Sequence, residues 1–278
     1  TASEDGTFKM WLRNDPALSP GHTLMATLTG EQGGIWGAAF SPDSELLATS
    51  GIDGRVQLWN ENGNLVRTLS GHSAPVWNVA FSADGKRLAT VSSDNQAKIW
   101  RRDGTELVAL TGSGAPFFGV AFSPDNKTLT TTSSDTDVTL WDISPITDLT
   151  GKNEVKDDSV IPSTQLMGHT SAVFDVKYSP DGQLFATVSG DNSLRLWDAN
   201  GSTQAVFEKH KAAVSDVAFS PDGQVIATAS DDKTVLLWDL EQIRQLDLLT
   251  YSCDWVSDYL RTNIDLEDER RSLCQDIN

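Results

Sequence analysis

The sequence predicts an all-β fold built from repeated four-stranded antiparallel sheets, and three observations predict it. Six aspartates, Asp5, Asp53, Asp94, Asp135, Asp191 and Asp232, share one register, each with a threonine four residues before it and a tryptophan six residues after it. Three of the five gaps between them are 41 residues and the others are 48 and 56, a period that marks an array of small supersecondary units. Within each unit the residues alternate with period two and are rich in Val, Phe, Thr and Trp, as short strands are.

In chain order, the first unit opens directly on its register threonine, Thr1, so its two inner strands are missing. A bare strand edge invites aggregation and repeat arrays need closed or capped ends. The chain is therefore read as the carboxy-terminal part of a longer protein, with upstream domains in the same polypeptide. An insertion, Asn14 to Gly21, sits between the third and fourth strands of the first unit, and His22 is assigned to it because it stands 31 residues before Asp53, whereas the other histidines stand 22 before their aspartates. The second unit has Glu31 in the histidine place, facing Asp53, and is expected to be weaker.

The third unit shows the plan in full. Val76 to Phe81, Arg87 to Ser92, Gln96 to Trp100 and Glu106 to Leu110 are strands, separated by turns at Ser82-Ala83-Asp84-Gly85, Ser93-Asp94-Asn95 and Arg102-Asp103-Gly104. Ser-Pro-Asp-Gly stands at 179–182 and 220–223, with variants at 41, 82 and 123. In such a turn proline presets φ, aspartate caps the turn and glycine accepts positive φ. The fourth unit has Ser113 in the histidine place, expected to leave a gap or a water, and carries a polar insertion, about Ser144 to Ser163, read as a tolerated mobile loop between its third and fourth strands. The fifth and sixth units are regular.

Residues 1–250 thus form one domain, and residues 251–278 a separate tail. Ser252 to Asn263 carries Trp255, Val256, Tyr259 and Leu260 on one helical face, and a second amphipathic helix is expected from Asp265, so the tail reads as a helical cap on the last sheet.

Gly71-His72, the Ser-Pro-Asp-Gly turns and the Trp-Asp pairs at 141, 197 and 238 resemble those of the WD-repeat β-propeller family. The resemblance covers residues 1 to about 250 and implies five complete blades, a partial amino-terminal blade and a non-enzymatic interaction scaffold or sensor. Cys253-Asp254-Trp255, Asp258-Tyr259-Leu260, Asn263 and Leu273-Cys274 are similar to the tails of large bacterial, especially cyanobacterial, WD-repeat signalling proteins.

A histidine, an aspartate and a hydroxyl invite a catalytic reading, but an active site occurs once and this set recurs. It is complete with His72, Thr90, Asp94 and Trp100, with His169, Thr187, Asp191 and Trp197, and with His210, Thr228, Asp232 and Trp238. The resemblance assigns it to structure, and the chemistry agrees: a buried aspartate accepts several hydrogen bonds, here expected from histidine, threonine and indole.

A net charge of −18 argues against nucleic acid and against anionic membrane surfaces. The two cysteines, Cys253 and Cys274, make no disulfide framework, which points to a reducing cytoplasm. With no glycine-rich phosphate loop, nucleophile elbow or convergent metal spacing, no cofactor, metal or catalytic residue is expected.

In the family, the positions three and five residues after the histidine and one before the aspartate crowd one face. Here the plus-five series reads Trp36, Trp77, Phe118, Phe174 and Ser215, the plus-three series includes Pro75 and Pro116, and the pre-aspartate series includes Ile52 and Asp231. Four consecutive large aromatics flanked by small residues form a candidate crescent for a peptide or protein partner. The competing reading is that the rings only close the channel mouth. A second class, a small-molecule or enzymatic site in the channel, would need clustered polar groups there.

Overall fold

The computed structural model describes residues 2–13, 22–29, 33–146 and 162–241. Thr1, Glu31, the Asn14 to Gly21 insertion, residues 147–161 of the second insertion and the whole tail with both cysteines lie outside the described residues, and so do the expectations placed on them.

Twenty-one strands are described, joined in chain order into antiparallel meanders. The first sheet has β1 (Thr7–Arg13) and β2 (His22–Thr29). Four complete sheets follow. The second contains β3 (Ile35–Phe40), β4 (Leu46–Gly51), β5 (Arg55–Asn60) and β6 (Leu65–Ser70). The third contains β7 (Val76–Phe81), β8 (Arg87–Ser92), β9 (Gln96–Arg101) and β10 (Glu106–Thr111). The fourth contains β11 (Phe117–Phe122), β12 (Thr128–Ser133), β13 (Val138–Asp142) and β14 (Pro162–Leu166). The fifth contains β15 (Val173–Tyr178), β16 (Leu184–Ser189), β17 (Leu194–Asp198) and β18 (Thr203–Phe207). The sixth shows β19 (Val214–Phe219), β20 (Val225–Ser230) and β21 (Val235–Asp239), after which the backbone turns helical at Leu240 and Glu241. The fourth strand expected for this sheet falls outside the described residues.

Two local expectations need correcting. His22 is the first residue of β2, paired with Arg13, and not part of a loop. Ser144 to Ser163 is not uniformly a polar excursion: Ile146 is buried with Ile143 in the core between the third and fourth sheets, and the Arg87 guanidinium donates to its carbonyl at 3.4 Å.

The turns hold as their chemistry dictates. In all five Ser-x-Asp turns the serine hydroxyl donates to the aspartate at 2.5–2.6 Å, and that carboxylate accepts the amide two residues on. The residue after the aspartate has φ between 60° and 70° in every one, with Gly at 85, 182 and 223.

The core lies between the sheets. Each interface sets the residues three and five after one register aspartate against the tryptophan face of the next sheet. Val56 and Leu58 meet Trp100, Ala97 and Ile99 meet Trp141, Val138 and Leu140 meet Trp197, and Leu194 and Leu196 meet Trp238. Those eight apolar side chains are 0–4% exposed. The same positions on the sixth sheet, Val235 and Leu237, are 64% and 72% exposed. Trp11 on the first sheet is 47% exposed, whereas its five counterparts are 2–6% exposed. Consecutive sheets are thus sandwiched, while the outward faces of the first and last described sheets are open.

The inner strands β3, β7, β11, β15 and β19 pack side by side in that order. All five border one cavity, and Asn78 of β7 reaches Asp175 of β15 across it at 3.4 Å. This radial arrangement is the β-propeller.

Candidate functional site

The three complete register sets form relays. In the third sheet the Trp100 indole N–H donates to Thr90 Oγ1 at 2.9 Å, Thr90 Oγ1 lies 2.7 Å from His72 Nε2, and His72 Nδ1 lies 2.8 Å from Asp94 Oδ2. The indole can only donate, so the threonine hydroxyl passes its own proton on to Nε2, and Nδ1–H donates to the carboxylate. The sets of Trp197, Thr187, His169 and Asp191, and of Trp238, Thr228, His210 and Asp232, repeat these bonds at 2.8–3.0 Å.

The expected wiring is therefore corrected in one respect. Threonine and indole do not bond the aspartate; they lie upstream in the relay. Asp94 instead accepts from His72 and from the backbone amides of Ser73 and Gln96. With both ring nitrogens engaged and the side chains enclosed, His72 and His169 have nothing to offer a substrate. Burial holds both imidazoles below their ordinary pKa despite the aspartates that favour the charged form. Burial also pushes Asp94 and Asp191 up, but their hydrogen bonds outweigh it, and Asp191 titrates at about 2.

In the fourth sheet the two ends of the relay are kept: the Ser113 hydroxyl donates to Asp135, and Trp141 donates to Thr131 at 2.8 Å. Phe117, standing where the other sheets have Val or Ile, turns its ring against Gly112 beside that serine.

The predicted aromatics converge. The ring centroids of Trp36 and Trp77 are 5.0 Å apart, those of Trp77 and Phe118 5.6 Å, and those of Phe118 and Phe174 5.8 Å, with interplanar angles from 42° to 82°. The rings do pack on one another, as the channel-closing reading requires, and they also wall an open cavity of about 740 Å³. The Trp77 indole donates to Ser93 Oγ at 2.6 Å.

A bulge aims each of these residues. Every inner strand slips by one residue near its start, between Ile35 and Gly37, Val76 and Asn78, Phe117 and Gly119, Val173 and Asp175, and Val214 and Asp216. The plus-five residue is the extra one, and a bulge re-aims its side chain. Two glycines make room for this. A Cβ on Gly37 would stand 2.9 Å from Asn78 Cα, and one on Gly119 2.9 Å from Asp175 Cα.

The plus-three and pre-aspartate series are tied by backbone: Ile52 N–H donates to Gly34, Ser93 to Pro75, Ser134 to Pro116, Gly190 to Ala172 and Asp231 to Ala213, all at 2.9–3.0 Å. Of the predicted Pro75, Pro116, Ile52 and Asp231, only Asp231 borders the cavity.

Sequence reasoning missed Asn78, Asp175, Lys177 and Asp216, all of which line it. Lys177 Nζ donates to both oxygens of Asp175 at 2.7 and 2.8 Å. One side of Asp216 opens to solvent. Burial of the other side pushes its carboxyl up to about 6, and the charge of Asp175 adds to the shift. The signal lay one residue beyond the aromatics, in the series Gly37, Asn78, Gly119, Asp175 and Asp216. Among the described residues, no three His, Cys, Asp or Glu side chains converge as metal ligands, and no helix is long and apolar enough to cross a membrane.

Comparison with known proteins matches this architecture. The family described as WD domain, G-beta repeat (WD40) matches residues 22–60, 63–101, 104–142, 161–198 and 201–239. Each matched segment begins with the outer strand of one sheet and continues with the inner three strands of the next. Protein Mut11 of Chlamydomonas reinhardtii is 42% identical over 62 residues, 18% of this chain and 17% of its own length. Protein transport protein SEC13-2 of Candida glabrata is 39% identical over 67 residues, 23% of this chain and 22% of its own length. Anaphase-promoting complex subunit cdh1 of Dictyostelium discoideum is 50% identical over 40 residues, 14% of this chain and 5% of its own length. The chain thus spans less than a quarter of each relative, all three are eukaryotic, and the tail with its bacterial resemblance lies beyond the matched segments. Five matched segments, each ending one residue after a buried register tryptophan, account for most of the residues: the chain belongs to the WD domain, G-beta repeat family.

Proposed function

We propose that this chain is a non-enzymatic interaction module that holds a peptide or protein partner against the crescent of Trp36, Trp77, Phe118 and Phe174. One observation carries the reading: five successive bulges present four large aromatics around one open cavity. Aromatic side chains bury large area at little entropic cost and dominate binding hot spots. The family's general use as a protein-binding scaffold supports it, as do relatives named for a protein-transport protein and a complex subunit. We also propose a cytoplasmic setting, as the sensor part of a longer multidomain signalling protein, with neither nucleic acid nor membrane as partner.

Peptide display on the purified protein tests the reading. Selected peptides should lose binding to the Trp77→Ala/Phe118→Ala double variant while its far-UV circular dichroism is retained. Retained binding would move the partner to another surface.

Asp175 and Asp216 favour a second reading, a small-molecule or enzymatic site in the channel, since a carboxyl shifted to about 6 in a cleft suits acid–base work. The first is preferred because Lys177 is engaged by Asp175, and the remaining polar lining, Asn78, Ser215 and Asp231, contains no activated nucleophile.

A further inference from the structure

The cavity joins two chemistries. Its wall is aromatic: Trp36, Trp77, Phe118 and Phe174. Its charge is acidic: Asp175, Asp216 and Asp231 stand against a single cation, Lys177. That cation is spent, because its ammonium donates to both oxygens of Asp175. Among the described residues neither Asp216 nor Asp231 has an ion-pair partner, and both are exposed. Two exposed carboxylates beside a row of ring faces match a positive charge on an apolar stem. The rings attract the cation through their quadrupoles and cover the stem, and the carboxylates complete the charge. The chain's net charge of −18 draws such a ligand toward the cavity.

We propose that the cavity takes a cationic side chain, guanidinium or ammonium, from a basic segment of the partner, set between the Trp77, Phe118 and Phe174 rings and the carboxylate of Asp216. The proposal rests on the aromatic-face reading above and adds the chemistry of the partner. It also makes binding depend on pH. The groups facing Asp216 are Asp175, Lys177, Asp231 and Asn78. Burial and Asp175 place its titration at about 6. Below that value Asp216 is neutral and the cation loses the nearer of its two counter-charges, so affinity falls as pH drops from 7.5 to 5.

The test uses four matched pentapeptides, acetyl-Ala-Ala-X-Ala-Ala-amide, with X as Arg, Lys, citrulline or norleucine. The readout is the indole N–H signals of Trp36 and Trp77, assigned with Trp36→Phe and Trp77→Phe variants. The Arg and Lys peptides should shift these signals, while the citrulline and norleucine peptides should not. Asp216→Asn should weaken the cationic peptides about tenfold, about 1.4 kcal/mol, and abolish the pH dependence. Asp216→Glu should restore both. If all four peptides shift the signals equally, the charge inference is overturned and the aromatic-face reading stands. If no peptide moves them, both fall.

Discussion

At the scale of single residues the relay from Trp100 through Thr90 and His72 to Asp94 fastens a loop to two strands of its sheet. Asp94→Ala removes the acceptor of His72 Nδ1–H and of the Ser73 and Gln96 amides. Each unsatisfied buried donor costs about 1–3 kcal/mol. Chemical denaturation of Asp94→Ala should show a loss of about 2–4 kcal/mol, and an unchanged midpoint would remove the relay's structural role.

The same groups set an acid limit. His72 and His169 have folded pKa values below 6.5, so their contribution is full above pH 6.5 and declines as pH falls through the folded values. Asp94 and Asp191 are held below 3.8, so a second loss begins under pH 3.8 and runs to about 2 for Asp191. Urea midpoints measured from pH 8 to pH 2 should therefore fall in two stages.

At the scale of elements, two leucines in one register position should answer differently. Leu196 is 2% exposed between β17 and the next sheet, and Leu196→Ala should cost about 2–5 kcal/mol. Leu237 is 72% exposed, and Leu237→Ala should change stability by under about 0.5 kcal/mol. Thermal melts of the pair decide whether the outer face of the sixth sheet is open in solution.

This scale also separates what was legible in the sequence from what was not. Strands such as Val76–Phe81 and Arg87–Ser92 fall where alternation and turn chemistry put them, because the rules involved are local. The aromatic positions could be carried over from the register. Asp175 and Asp216 could not be reached by period-two counting. A bulge brings two consecutive residues to the same side, so Trp77 lines the cavity with Asn78, Phe174 with Asp175, and Ser215 with Asp216. Wherever the ladder slips, alternation loses phase. Ile146 was hidden for another reason: one apolar anchor inside a polar stretch is visible only once the core it enters is known.

At the scale of the whole molecule the cavity exists only because five inner strands meet, and no single unit contains it. The same dependence runs through the sheets. β14 lies with β11–β13 by pairing, Val138 to Leu166 and Leu140 to Thr164, yet the matched repeat that contains β14 continues into β15. If the chain is divided within residues 147–161 and the two pieces are co-expressed, they should co-purify, because the second piece lends its first strand to the first. Starting the second piece at residue 167 should release it, and co-purification regardless would show that sheet packing alone suffices. The strand that crosses each boundary is thus a clasp. Holding the array together is shared between the core and these borrowed strands, so a broken backbone between repeats need not mean a broken molecule.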